Sequence, residues 1–128
     1  MKIVELTLFH VRIPLRKKIR HASHVRTETD NVIVRLALDS GHVGHGEGVP
    51  REYVTGEDIG FTMDLLKRAD LAAQLEPVHD WSQALTIAER LKLPPVDGDI
   101  RHCKGNAARC AIEIAYLDAI GQAFGQPL

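Results

Sequence analysis

At 128 residues, 45% apolar and 26% charged, the chain has the size and composition of one soluble globular domain with its own core. Its formal net charge of −1 gives no global attraction to nucleic acid or an anionic membrane, and no run approaches the roughly eighteen apolar residues that a membrane span needs. Cys103 and Cys110 make no disulfide framework, and the alternating, charged start "MKIVELTLFH" reads as a strand rather than a secretory signal, so the expected location is cytoplasmic.

Residues 2–15 alternate with period two. Val4, Leu6 and Leu8 share one face, and Phe9, Val11 and Ile13 continue on the other, which predicts a bulge or bend near Leu8–Phe9; Pro14 ends the run. A second strand is predicted over 29–39, where Val32, Val34, Leu36 and Leu38 share a face, leaving residues 16–28 as a long connection. The "DSGH" at 39–42 supplies a tight turn, and Val43–Glu47 returns as a third strand. Together these make a three-stranded antiparallel meander.

Helical spacing takes over after residue 55. Thr55 and Asp58 form a capping-box-like pair, and Ile59, Met63, Leu66 and Ala73 repeat at helical spacing to about Leu75. A second helix starts at Asp80, with Gln83 three residues on, and buries Trp81, Ala84, Leu85, Ala88 and Leu91 before Pro94 and Pro95 stop it. A third runs from Asn106 to Phe124, with Gly125 as its stop, and it is apolar around much of its circumference. Strands first and helices afterwards predict an α+β domain.

Chemistry-bearing residues are scattered. The connection 16–28 carries Arg16, Lys17, Lys18, Arg20 and Arg26, with His21 and His24 interleaved; it reads either as a flap that recognises a carboxylate or as a solvated charged loop. It contains no aromatic residue, which argues against nucleic acid. Gly41, Gly44, Gly46 and Gly48 span a hairpin and its exit, so turn, bulge and close-packing roles fit them better than a phosphate cradle. The following loop, Val49 to Val54, exposes Arg51, Glu52 and Tyr53 ahead of a helix. Neither His42 with His45 nor His102 with Cys103 and Cys110 has zinc-site spacing. No nucleophile elbow, Cys–His arrangement or paired carboxylate stands out, so no catalytic or metal residue is assigned.

Three stretches in order, "RIPLRKKIRHAS" with "TETDNVIVRLALDSGHVGHGEGVP", then "VTGED", then "ARCAIEIAYLDAIGQAFGQPL", resemble the N-terminal capping domain of the enolase superfamily. The similarity is to its mandelate racemase and muconate lactonizing branch, which includes dipeptide epimerases and muconate cycloisomerases. The resemblance implies a capping α+β domain over 1–105 and a helix, 106–128, that leads into a (β/α) barrel. In such enzymes the barrel holds lysine acid–base groups and Mg2+ on three carboxylates, and removes the proton α to a substrate carboxylate. The sequence stops before the barrel's first strand, so this chain alone is expected to be inactive and to bind no Mg2+ itself.

What the resemblance carries over is substrate selection. The matching positions are Ile19, His21 and His24 in the flap and Tyr53 and Val54 in the second loop. Ile19 and Val54 would form an apolar wall, and His24 falls where some dipeptide epimerases place an arginine. Ser23 and Arg26 are secondary, with Arg26 expected to pin the flap to neighbouring carboxylates. The expected partners are a small carboxylate-bearing substrate and either a barrel or a second copy against the 106–124 helix. The alternative is a free-standing binding or assembly module derived from such a domain; a small enzyme complete in itself ranks behind both.

Overall fold

The computed structural model describes the whole chain apart from Ala22, Ser23 and the side chain of His21. Three strands, β1 (Ile3–His21), β2 (His24–Leu38) and β3 (Val43–Gly48), form an antiparallel sheet in the order β1-β2-β3. Five helices follow: α1 (Glu52–Thr55), α2 (Ile59–Arg68), α3 (Leu71–Gln74), α4 (Trp81–Arg90) and α5 (Asn106–Phe124). The α+β class and the meander are as the sequence predicts. The three expected helices are joined by two single-turn ones.

One face of β2 supplies the centre of the core through Val32, Val34, Leu36 and Leu38, and α5 packs against β2, β3, α2 and α4. The contact with β3 depends on glycine. A Cβ at Gly44, Gly46 or Gly48 would collide with the backbone of Ala115, Ala111 or Ala107 respectively. Alternate strand residues repeat every ~6.6 Å and every fourth helical residue every ~6 Å, so the glycine row and the alanine row stay in step. Close approach then lets side chains of α5 reach the free edge of β3. The His45 amide donates to the Asp118 carboxylate at 2.9 Å, Gln122 Nε2 donates to the Val43 carbonyl at 2.9 Å, and Cys110 Sγ donates to the Glu47 carbonyl at 3.5 Å. That edge is thereby closed to further strand pairing.

Several local expectations are corrected. The bend in β1 lies at Val4, where the register shifts between Ile3 and Glu5, and pairing runs unbroken through Leu8 and Phe9. The bulge turns Val4 outward to 60% exposure and leaves Ile3, Leu6 and Leu8 packed on the core. Pro14 does not end β1: it sits on an edge strand, and a second irregularity between Pro14 and Ile19 absorbs it. Residues 16–21 and 24–28 are therefore not a loop but the far ends of two paired strands.

The first long helix is broken at Asp70, whose φ of 46° lies in the left-handed region. Its N-cap is Asp58, accepting from the Phe61 amide at 2.7 Å; Thr55 does not cap it. Asp80 does cap α4 through the Gln83 amide, and the Gln83 side chain accepts from the His79 amide, but Leu85 faces outward. The apolar surface of α5 is largely covered by this domain itself. Ala107, Ala108, Ala111, Ile112, Ala115, Ala119 and Ile120 are buried, whereas Ile114 is half exposed.

Candidate functional site

The ribbon formed by the far ends of β1 and β2 pairs Ile19 with Arg26, Arg20 with Val25 and His21 with His24. Directly opposed residues share a face, and the period of two then puts Ile19, His24, Arg26, Glu28 and Asp30 on one side. That side looks toward residues 50–59. The His24 ring stacks on Tyr53 with centroids 4.5 Å apart and planes 22° from parallel. Below the stack lies a cleft of about 210 Å3 whose wall includes Arg26, Glu28, Asp30, Tyr53 and Asp58.

An ion network anchors the root of the ribbon. His10 Nε2 lies 2.7 Å from Asp30 Oδ1, and Arg12 Nε donates to the same oxygen at 3.0 Å and lies 3.6 Å from Glu28. The hydrogen bond from His10, and then that from Arg12, hold the Asp30 carboxyl below its usual pKa. The hydrogen bond and charge of Asp30 raise the Arg12 pKa in return. The pinning expected of Arg26 is performed by Arg12; among the described residues Arg26 makes no ion pair within 4 Å. The cause is register, since Arg12 stands directly opposite Asp30.

Tyr53 and Val54 ride on α1, a four-residue helix with no buried residue and no side-chain N-cap. Gly56, at φ 77°, closes it in the left-handed conformation. What secures it is Glu57, only 2% exposed. One carboxylate oxygen accepts the Thr55 hydroxyl at 2.5 Å; the other accepts the Gly105 amide at 2.6 Å and the Ala107 amide at 3.3 Å, at the start of α5. Sequence reading missed Glu57. It stands beside Asp58 ahead of α2, whereas the helix it caps lies 48 residues away.

Of the residues singled out from sequence, His24 and Tyr53 are brought into contact. Ile19 lies on the same ribbon face at 41% exposure, and Val54 is 50% exposed on α1. The backbone of His21 pairs with His24, and its side chain and Ser23 lie outside the described residues. The arrangement offers an imidazole–phenol pair, flanking apolar side chains and nearby cations, a surface suited to gripping a small polar molecule. Among the described residues no three of His, Cys, Asp or Glu gather as a metal site, and Glu28 and Asp30 are already engaged by Arg12 and His10. A larger cavity of about 490 Å3 lies elsewhere, between the start of β1 and α3, with a largely apolar wall that includes Lys2, Ile3, Leu6, Leu71 and Leu75. Among the described residues no helix is long and apolar enough to cross a membrane.

The profile of the mandelate racemase / muconate lactonizing enzyme N-terminal domain matches residues 3–128. The chain is similar to the N-succinyl-L-Arg/Lys racemase of Bacillus cereus, at 29% identity over 135 residues, covering 100% of this chain and 32% of that protein. It is similar also to the L-Ala-D/L-Glu epimerase of Bacillus subtilis, at 30% identity over 131 residues, again covering 100% of this chain and 32% of the relative. Among solved structures, the dipeptide epimerase of Methylococcus capsulatus complexed with Mg and the dipeptide L-Arg-D-Lys superposes with a TM-score of 0.77 at 27% identity, covering 98% of this chain and 33% of that one. The chain thus spans about a third of the length of the relatives it matches. With the sheet, the helix order and the sequence profile in agreement, the chain belongs to the mandelate racemase/muconate lactonizing enzyme family, as its N-terminal domain.

Proposed function

We propose that this domain is the substrate-recognising cap of an Mg2+-dependent isomerase that abstracts the proton α to a carboxylate, with dipeptides or N-acylated amino acids as the substrate class. The observation that carries the reading is the His24–Tyr53 stack, which ties the ribbon tip to α1 and makes one rim of two segments far apart in sequence. Ile19 and Val54 form the apolar wall, His24 and Tyr53 grip the polar end of the substrate, and the rim excludes water from the reacting centre. The resemblance assigns the metal to a barrel, which in this reading occupies the two thirds of the relatives that the chain does not cover. In this reading α5 is both a core element of the cap and the lead into that barrel. A cytoplasmic location belongs to the same reading and suits the two free cysteines.

The test joins this chain to the barrel of the Bacillus subtilis epimerase in place of the matching segment. Deuterium uptake at the α-carbon is then measured with Mg2+ over a panel of dipeptides and N-acyl amino acids. The expected outcome is Mg2+-dependent exchange with a substrate preference displaced from the parent's. His24→Ala and Tyr53→Ala should shift relative kcat/KM across the panel by about tenfold. An active chimera whose preference equals the parent's, and does not respond to those substitutions, overturns the reading.

A further inference from the structure

The turn between α4 and α5 is built with more care than a connection requires. Asp99 accepts the amides of Cys103 and Lys104, and the His102 amide returns to the Asp99 carbonyl. Gly98 at φ 71° and His102 at φ 51° both take the left-handed conformation, which is unfavourable for the histidine. The turn holds Ile100 out at 90% exposure, where it contributes nothing to the core of this domain.

Its other side is fastened to α1. Arg101 Nη2 donates to the Val54 carbonyl at 3.3 Å, and Cys103 Sγ donates to the Thr55 carbonyl at 3.8 Å. These are carbonyls at the end of a helix too short to satisfy them internally. Two residues further along, the Gly105 amide reaches Glu57, which also holds Thr55. So α1 is gripped by His24 through Tyr53 on one side and by the 98–105 segment on the other.

We infer that the 98–104 turn is a third segment of the substrate-selecting rim, with Arg101 as the positioning residue for α1 and Ile100, exposed on the same turn, as an additional apolar contact for the substrate side chain. The inference rests on the rim reading given above. The mechanism is geometric: α1 has one turn of its own backbone bonds and no fully buried residue, so the bonds made by its neighbours help to fix the places of Tyr53 and Val54.

The test has two parts. In the 128-residue chain, Arg101→Ala should speed hydrogen exchange of the amides of residues 53–56 by about tenfold without moving the global melting transition, and Arg101→Lys should restore part of the protection. In the barrel-joined protein, Arg101→Ala should raise KM by about tenfold with little change in kcat. Ile100→Asp should lower kcat/KM selectively for substrates with apolar side chains by a similar factor. If His24→Ala and Tyr53→Ala alter substrate preference while Ile100→Asp and Arg101→Ala leave both preference and exchange unchanged, the third segment is refuted and the two-segment rim stands. If none of the four alters preference, both fall.

Discussion

A Cβ placed on Gly46 would stand less than 3.0 Å from the carbonyl oxygen of Ala111 and from the Ala115 amide, so the sheet and the last helix meet with no side chain between them at that point. Gly44 and Gly48 repeat the relationship one step along in each direction. The "GHGEG" of the third strand and the alanine-rich helix are thus two halves of one contact.

Gly46→Ala should therefore destabilise the domain by about 3 kcal/mol or more, because backbone on both sides leaves nothing that can yield. Gly41→Ala is the comparison. It meets nothing within 4 Å but sits at φ 88°, so only conformational strain of about 1 kcal/mol is expected. Urea unfolding of both variants checks the difference, and equal effects would contradict the packing account.

Glu57 is the buried link between α1 and α5. Glu57→Ala should cost about 2 to 4 kcal/mol, since it strands the Gly105 and Ala107 amides without an acceptor. Glu57→Gln keeps one oxygen for the amides and a donor for Thr55, and should cost about 1 kcal/mol. Thermal unfolding would rank them, and a glutamine variant as damaging as the alanine would point to the charge rather than the cap.

Tyr116 is 1% exposed, and among the described residues its hydroxyl has no hydrogen-bond partner. Burial pushes the phenol up to about 12 from its ordinary value of 10.0. The unfolded chain then loses this proton near 10 while the folded one retains it, so stability falls as pH rises from about 10 to about 12. The loss amounts to about 2 to 3 kcal/mol. Tyr116→Phe should remove that slope and raise stability at neutral pH by about 1 kcal/mol, because the hydroxyl loses water on folding and finds no replacement. Unfolding followed from pH 8 upward tests both statements.

The ribbon root should respond to acid. Asp30 is held below its ordinary value of 3.8, so its contribution is fully present above that pH and is lost as pH falls through the lower folded value. Asp30→Asn should remove this part of the acid-induced loss and loosen the ribbon at neutral pH. Unfolding midpoints between about pH 5 and pH 2, with exchange rates for residues 19–26, measure the two effects. An unchanged acid slope in the asparagine variant would remove Asp30 from the account.

Much of the fold is legible because short-range rules govern it. The alternation of Val32, Val34, Leu36 and Leu38 places β2, Asp80 and Gln83 mark the start of α4, and Gly125 marks the end of α5. Errors gather where a local signal is overruled from afar. Pro14 reads as a stop, yet β1 is an edge strand, where a residue without an amide donor is tolerated, and it continues past the proline after a register shift. Val4 reads as inward, yet one bulged residue reverses its face. Thr55 reads as a cap for the next helix, yet its hydroxyl serves Glu57.

The candidate site divides in the same way. Ile19, His21, His24, Tyr53 and Val54 could be named from a linear resemblance, and the stacking of His24 on Tyr53 needed three dimensions because 29 positions separate them. Arg101 and Ile100 lie in a segment that matches no motif, and Glu57, although it stands within "VTGED", acts on a helix distant in sequence, so the role of none of them is written along the chain. By itself, the sequence determined the strand and helix order, the apolar faces and the glycine and alanine rows, all set by spacing along the chain. Which carboxylate caps which helix, which cation pins the ribbon and what holds α1 in place were decided by the tertiary structure, because hydrogen bonds and ion pairs depend on distances across the fold that spacing along the chain does not encode.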